Sequence, residues 1–166
     1  MLKEIFIIGI GGQGALTIGE ILLIAANNKG FSASFYPFYG SQMRGGEAGC
    51  IVKIDTDGNE ILNPTVNSPD DFIILSDKFF DKYKKFANTN SNYYDLNSIG
   101  VIKSAEESST GHKTLTETTK NLNLIMLKKY IDKSELFSEK IIIDAIKEKF
   151  KKEEVYNNKI EIYKNS

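Results

Sequence analysis

An α/β domain with a mostly parallel sheet is the fold class that this 166-residue sequence predicts. Three observations near its start predict it. A continuous apolar run, Ile5 to Ile10, opens the chain. A glycine cluster, Gly9-Ile10-Gly11-Gly12-Gln13-Gly14, closes that run. Leu16, Gly19, Leu22, Leu23 and Ala26 then recur at helical spacing. An uninterrupted β-rich run reads as a strand buried on both faces, which is how strands of a parallel sheet read.

The elements follow in order. The helix spans Ala15 to Asn28 and stops at Asn27-Asn28-Lys29-Gly30, where Gly30 suits a left-handed residue. Ser32 to Tyr36 is the second strand, completing an N-terminal βαβ unit whose two strands share one parallel sheet by the right-handed crossover rule. Pro37 to Glu47 is a long glycine-bearing loop, and long ordered loops tend to carry function. Ala48 to Asp55 is a strand with Cys50, Val52 and Ile54 on one face. Asp57-Gly58 signals a hairpin turn, with Glu60-Ile61-Leu62 as the return strand. Phe72 to Ser76 is a buried strand and Lys78 to Phe86 a short amphipathic helix. Tyr93 to Leu96 and Ile99 to Lys103 are weaker strand candidates. Thr114 to Ile131 and Ser134 to Phe150 read as helices, with Ser134 as the N-cap of the second. Residues 1–150 form one domain by this reading, and residues 151–166 a charged tail or docking arm.

Composition narrows the function classes. With 41% hydrophobic and 26% charged residues, the chain is an ordinary globular domain able to bury a core. A formal net charge of -1 gives no field that would draw it to nucleic acid or an anionic membrane. One cysteine, Cys50, forms no internal disulfide and falls short of the thiolates that an iron–sulfur cluster needs. One histidine, His112, read as a surface residue, gives no zinc or haem site. The apolar start is too short for a signal core or a membrane span, so a cytoplasmic protein is expected.

The glycine cluster fits the G-x-G-x-x-G spacing between a strand and a helix. That context makes a Rossmann-like turn, with backbone amides open to an anion at the helix start. A nicotinamide dinucleotide also requires an acidic residue at the end of the second strand. Ser32-Ala33-Ser34-Phe35-Tyr36-Pro37 supplies none, and no arginine for a 2′-phosphate. No Gly-Lys-Ser/Thr follows Gly14, which removes a P-loop. Close strand–helix packing and a partner- or phosphate-facing loop both remain open for these glycines.

The second loop carries Tyr36, Phe38, Tyr39 and, between glycines, Arg44. Aromatic residues and arginine are enriched at the centres of interfaces. Glu47 reads as solvated or paired with Arg44. Cys50 reads as a buried, unreactive thiol. No side chains form an evident nucleophile–base or acid–base pair.

Gly9-Ile10-Gly11-Gly12-Gln13-Gly14, then Thr17-Ile18-Gly19-Glu20-Ile21-Leu22, then Tyr36-Pro37-x-Tyr39-Gly40-x-x-Met43-Arg44-Gly45-Gly46 together resemble the gamma subunit of 2-oxoacid:ferredoxin (acceptor) oxidoreductases. The 2-oxoglutarate type is the form most similar, since pyruvate-type chains differ more in the second loop. Cys50, Asn63-Pro64 and Pro69-Asp70 add to the likeness, which is carried by residues 4–76. After Asp77 the chain departs. The family's middle section is longer and more apolar, and Asn121-Leu122-Asn123-Leu124-Ile125-Met126-Leu127 matches a family helix before turning to Lys128-Lys129.

The resemblance implies a non-redox gamma subunit, catalytic only within its complex. That complex decarboxylates a 2-oxoacid oxidatively with coenzyme A in anaerobic metabolism. Thiamine diphosphate and iron–sulfur clusters would sit on alpha, beta and ferredoxin-like delta partners, with no cofactor bound by this chain alone. A homodimer is an alternative when the chain is isolated. The residues expected to form a cofactor-binding or interface surface are Gly9, Gly11, Gly12, Gln13, Gly14, Tyr39, Gly40, Arg44, Gly45 and Gly46. The competing reading is a stand-alone Rossmann-type nucleotide- or phosphate-binding domain, regulatory or NAD(P)-dependent.

Overall fold

The structure, a computed structural model, describes residues 1–41, 45–63, 65, 68–96 and 121–166. His112, the strand expected at Ile99 to Lys103 and the first part of the helix expected from Thr114 lie outside them.

Strand β1 (Leu2–Ile10) leads through the glycine turn to helix α1 (Ala15–Asn28), then strands β2 (Ser32–Tyr39), β3 (Glu47–Asp55) and β4 (Asp71–Ile74). Helix α2 (Phe80–Tyr83) is one turn flanked by 3-10 turns at Asp77–Phe79 and Lys84–Phe86. Strand β5 (Asn92–Tyr94) and helices α3 (Leu122–Ser134), α4 (Glu139–Phe150) and α5 (Glu153–Lys164) follow. The sheet order is β2-β3-β1-β4-β5. β4 runs parallel to β1 and to β5, and β3 runs antiparallel to both β1 and β2. Four strands therefore point one way, as a mostly parallel α/β sheet requires, and β3 alone opposes them.

The N-terminal βαβ unit is present, but β1 and β2 are not neighbours. β3 lies between them, pairing Ile10 with Glu47 on one side and Tyr39 with Ala48 on the other. This insertion also removes the return strand expected at Glu60-Ile61-Leu62. Both hydrogen-bonding edges of β3 are already taken, so no edge remains for a hairpin partner, and these residues form no strand.

β2 runs three residues past its expected end, through Pro37. The Gly40 N–H donates to the Glu47 carbonyl at 2.8 Å. The even-numbered residues of β2 are thus the positions bonded to β3, and Pro37 turns its missing N–H outward. β2 is an edge strand, where a proline at such a position breaks no bond.

The core has two sides. On one face Ile5, Ile7, Cys50, Val52, Ile54 and Ile73 meet Ile18, Leu22, Ala25 and Ala26 of α1, together with buried residues of α3, α4 and α5. Asp71 locks α3 to this face from within. Its carboxylate accepts from Tyr130 Oη at 3.1 Å and from Asn92 Nδ2 at 2.9 Å, and pairs with Lys3 Nζ at 3.0 Å. Burying a charge is tolerated only when its lone pairs are met in this way.

The other face carries an aromatic row across the strands. Phe38 stacks on Phe6 at 5.2 Å between centroids, Phe6 tilts against Phe72 at 5.7 Å, and Phe72 stacks on Tyr93 at 5.2 Å. Gly49 of β3 is what lets Phe38 reach across to Phe6. A Cβ there would lie 2.5 Å from Phe38 Cζ and would collide with the Ile7 carbonyl oxygen. Phe79, Phe80 and Tyr83 cover the row from above.

At the C-terminal end Ser134 is the last residue of α3 and not a cap of the next helix. Glu135 turns the chain at φ 51°, Phe137 is buried in the connection, and Ser138 in extended geometry precedes α4. Residues 151–166 contain α5, whose Tyr163 is buried against the helical layer.

Gly49→Ala is predicted to destabilise the fold by about 2 kcal/mol, the usual order for overpacking. Chemical denaturation checks it; an unchanged midpoint would mean that Phe38 does not cross β3 as described.

Candidate functional site

The C-terminal ends of β1 and β2 each release a glycine loop, and β3 forces the two loops together. Since β3 starts beside the end of β1, residues 45–47 must pass directly over the glycine turn. The Gly11 N–H donates to the Gly46 carbonyl at 3.0 Å. The second loop thereby takes one of the amides that the sequence left free for a ligand.

Gln13 serves the turn itself. Its Oε1 accepts the Ile10 N–H at 2.7 Å, while the Gln13 N–H donates to the Ile10 carbonyl at 2.9 Å. Gly14 precedes α1 at φ 86°, a left-handed geometry that favours glycine. Asn123 of α3 packs over it, and a Cβ on Gly14 would lie 2.6 Å from Asn123 Nδ2. With a glycine as cap, α1 has no side-chain hydrogen bond at its start. Its first intrahelical bond runs from Ile18 N–H to Gly14 O. The amides of Ala15, Leu16 and Thr17 are therefore left without intrahelical partners, the arrangement that favours an anion.

These pieces wall a cleft of about 750 Å³. Ile10, Gly11, Gly12 and Gly14 line it from the first turn, Ala15, Leu16 and Thr17 from the start of α1, and Tyr39, Gly40, Gly45, Gly46, Glu47 and Ala48 from the ends of β2 and β3 and the loop between them. Tyr39 stands at the lip, 70% exposed. Seven of the residues expected to form the site line this one cleft: Gly11, Gly12, Gly14, Tyr39, Gly40, Gly45 and Gly46. Gly9 and Gln13 do not line it. Arg44 lies outside the described residues.

Glu47 is the only ionisable carboxylate among the described lining residues, and it is occupied. Lys82 pairs with Glu47 Oε1, and Tyr83 Oη donates to Oε2 at 2.8 Å. The Lys82 hydrogen bond, helped by that of Tyr83, holds the Glu47 carboxyl below its ordinary range, against a smaller opposing effect of burial. A carboxylate so held is a poor proton acceptor. It ties the second loop to α2, where the sequence suggested pairing with Arg44. Cys50 lies beneath the cleft. Its Sγ contacts the Ala15 carbonyl at 3.6 Å, and burial pushes the thiol pKa upward, so it is inert.

Three contributors escaped the sequence reading. Lys82 and Tyr83 are more than thirty residues from Glu47 and join it only because the 77–86 segment folds over the sheet. Asn123 was legible as part of a helix start, but its contact with Gly14 is set by how α3 docks. Among the described residues no group of histidine, cysteine, aspartate or glutamate could hold a metal ion, and no helix is long and apolar enough to cross a membrane.

Compared with known families, the chain matches pyruvate ferredoxin/flavodoxin oxidoreductase over residues 4–164. The pyruvate synthase subunit PorC of Methanothermobacter thermautotrophicus is 29% identical over 153 residues, 89% of this chain and 84% of the relative. Ketoisovalerate oxidoreductase subunit VorA of the same organism is 39% identical over 77 residues, 46% of this chain but 16% of the relative's length. The 2-oxoglutarate synthase subunit KorC of Methanocaldococcus jannaschii is 39% identical over 87 residues, 51% of this chain and 44% of the relative. Among solved structures, the 2-oxoglutarate:ferredoxin oxidoreductase of Magnetococcus marinus superposes with a TM-score of 0.76 at 19% identity, over 99% of this chain and 30% of that one. The gamma subunit of a keto/oxoacid ferredoxin oxidoreductase from Geobacter sulfurreducens superposes at 0.64 and 18% identity, over 99% of both chains. These two likenesses show a shared fold.

Glu47 gives a pH prediction. A carboxyl whose folded pKa lies below its unfolded value contributes stability that is present above the unfolded pKa, and loses it as pH falls through the folded one. Glu47→Gln should therefore melt lower than the parent at neutral pH, with the gap closing as pH drops below about 4.5, the ordinary glutamate value. Melting curves across that range check it; a gap independent of pH would contradict the pairing with Lys82 and Tyr83.

Proposed function

This chain belongs to the pyruvate ferredoxin/flavodoxin oxidoreductase family, and on that premise we propose that it works as the gamma subunit of a 2-oxoacid:ferredoxin oxidoreductase. In this role it carries no redox centre of its own. Its partners decarboxylate the 2-oxoacid, pass the electrons to ferredoxin or a similar carrier, and transfer the acyl group to coenzyme A. The observation that carries the proposal is the match to PorC along most of both chains, 89% of this one and 84% of that one.

The residues of this chain argue for a division of labour. One cysteine, already buried beneath α1, leaves the iron–sulfur ligands to another subunit. The glycine turns offer no acid–base pair, and Glu47 is neutralised by Lys82. What the chain offers is a surface, and the rim cleft is the part most suited to be met by partners. Gly9, Gly11, Gly12, Gln13, Gly14, Tyr39, Gly40, Arg44, Gly45 and Gly46 are proposed to build it, Gly9 and Gln13 by holding the turn in shape.

This cleft is proposed to receive coenzyme A. The coenzyme's phosphates suit the amides of Ala15, Leu16 and Thr17, and the lining glycines Gly11, Gly12 and Gly14 admit a ligand close to the backbone. When bound, coenzyme A supplies the thiol that receives the acyl group. This chain would hold and orient it, with the chemistry left to the partner chains.

The 2-oxoglutarate type is the finer assignment. The Tyr36 to Gly46 motif supports it, and KorC, 39% identical over 87 residues, is one relative of that type. A cytoplasmic location goes with this role.

Affinity purification of the chain from its native host tests the proposal. Larger thiamine- and cluster-binding chains should copurify, and the recovered complex should oxidise 2-oxoglutarate faster than pyruvate. Recovery of the chain alone at low and high salt would contradict the subunit role. The double variant Tyr39→Ala/Arg44→Ala should weaken assembly while leaving the isolated chain folded, and Tyr39→Ala alone should change its stability by less than about 0.5 kcal/mol, as expected of an exposed side chain.

A further inference from the structure

The 77–86 segment is amphipathic through its thickness. Phe79, Phe80 and Tyr83 face the sheet, where Tyr83 lies 4.8 Å from Phe6 and Phe80 lies 5.4 Å from Tyr93 between ring centroids. Lys78, Lys82, Lys84 and Lys85 are exposed on the outer side. From Asp77 to Phe86, four lysines stand against two aspartates in a chain whose net charge is -1, a local excess of positive charge.

Internal pairing does not consume it. Lys82 pairs with Glu47, and Lys84 with Asp81 at 2.6 Å. Lys78 and Lys85 make no ion pair among the described residues. Their ammonium groups lie over the neighbouring rings of Phe79 at 5.7 Å and Phe86 at 5.2 Å. Phe86 is itself 46% exposed, an apolar ring at the edge of a cationic surface. The Lys82–Glu47 pair joins this ridge directly to the wall of the rim cleft, so the two form one continuous surface.

We propose that the outer face of residues 77–86 is a docking surface for an acidic face of a partner subunit, with Lys78 and Lys85 paired to partner carboxylates and Phe86 covered at the margin. Opposed charge of this kind sets orientation and encounter rate as well as affinity. A nucleic acid would meet the same lysines. However, the ridge contains no arginine for bidentate phosphate contacts, and the chain as a whole is slightly negative. The inference rests on the subunit role proposed above and adds the face by which that role is met.

The test measures binding of this chain to the larger chains recovered from the host, across a series of salt concentrations. Parent affinity should fall as salt rises. Lys78→Glu/Lys85→Glu should weaken binding about tenfold or more at low salt and flatten the salt dependence, with an unchanged melting temperature. Lys140→Glu/Lys152→Glu, an equal charge change on the helical layer, should leave both as in the parent. If the reversal harms the fold, Lys78→Gln/Lys85→Gln gives the same reading with a smaller shift. Equal binding by parent and ridge variant, or equal weakening by the control, overturns this face alone and leaves the subunit role standing. A parent chain that joins no partner removes both. Loss of binding to a DNA duplex with subunit affinity unchanged would overturn the inference in favour of nucleic acid.

Discussion

The structure depends on where β3 is inserted. A chain leaving β2 could have crossed to any free edge, yet it returns antiparallel into the gap between β1 and β2. With β3 in that gap, residues 45–47 cross the top of the turn that ends β1. The hydrogen bond from Gly11 to Gly46 closes that crossing. The cleft, the position of Tyr39 and the pairing of Glu47 with α2 all follow from it. Gly49 allows the insertion on the aromatic face, where a larger residue would strike Phe38 and the Ile7 backbone.

Two supports keep this rim in place from opposite sides. On the helical face Asp71 binds Tyr130 of α3, and α3 in turn brings Asn123 against Gly14. On the aromatic face the 77–86 segment is held down by Phe79, Phe80 and Tyr83, and Tyr83 reaches Glu47 with its hydroxyl. The rim is thus fixed by side chains that do not themselves need to touch a ligand. Such a division suits a subunit whose value lies in presenting a shaped surface to other chains.

Local patterns were legible in the sequence, and tertiary choices were not. Ile5 to Ile10, the glycine turn and α1 could be read because each is written in neighbouring residues. Pro37 reads as a breaker, and only the outward direction of its missing N–H, a property of the edge position, lets β2 continue to Tyr39. The crossover rule correctly put β1 and β2 in one sheet running the same way, but it says nothing of a third strand entering between them. That entry is also why Glu60-Ile61-Leu62 forms no strand. In the site, glycines and an exposed tyrosine announced themselves by type and spacing. Lys82, Tyr83 and Asn123 are ordinary residue types at large sequence separation, and no local pattern marks them. Glu47 was weighed in the sequence with Arg44 as its partner, while the structure gives it Lys82.

Amide hydrogen exchange in the glycine turn tests the central claim most directly. If β3 closes the second loop over the first, the Gly11 amide should exchange slowly, protected by its bond to Gly46, while the amides of Ala15, Leu16 and Thr17 exchange fast. Fast exchange at Gly11, equal to that of its neighbours, would mean that the loops do not meet and that the cleft described here does not form.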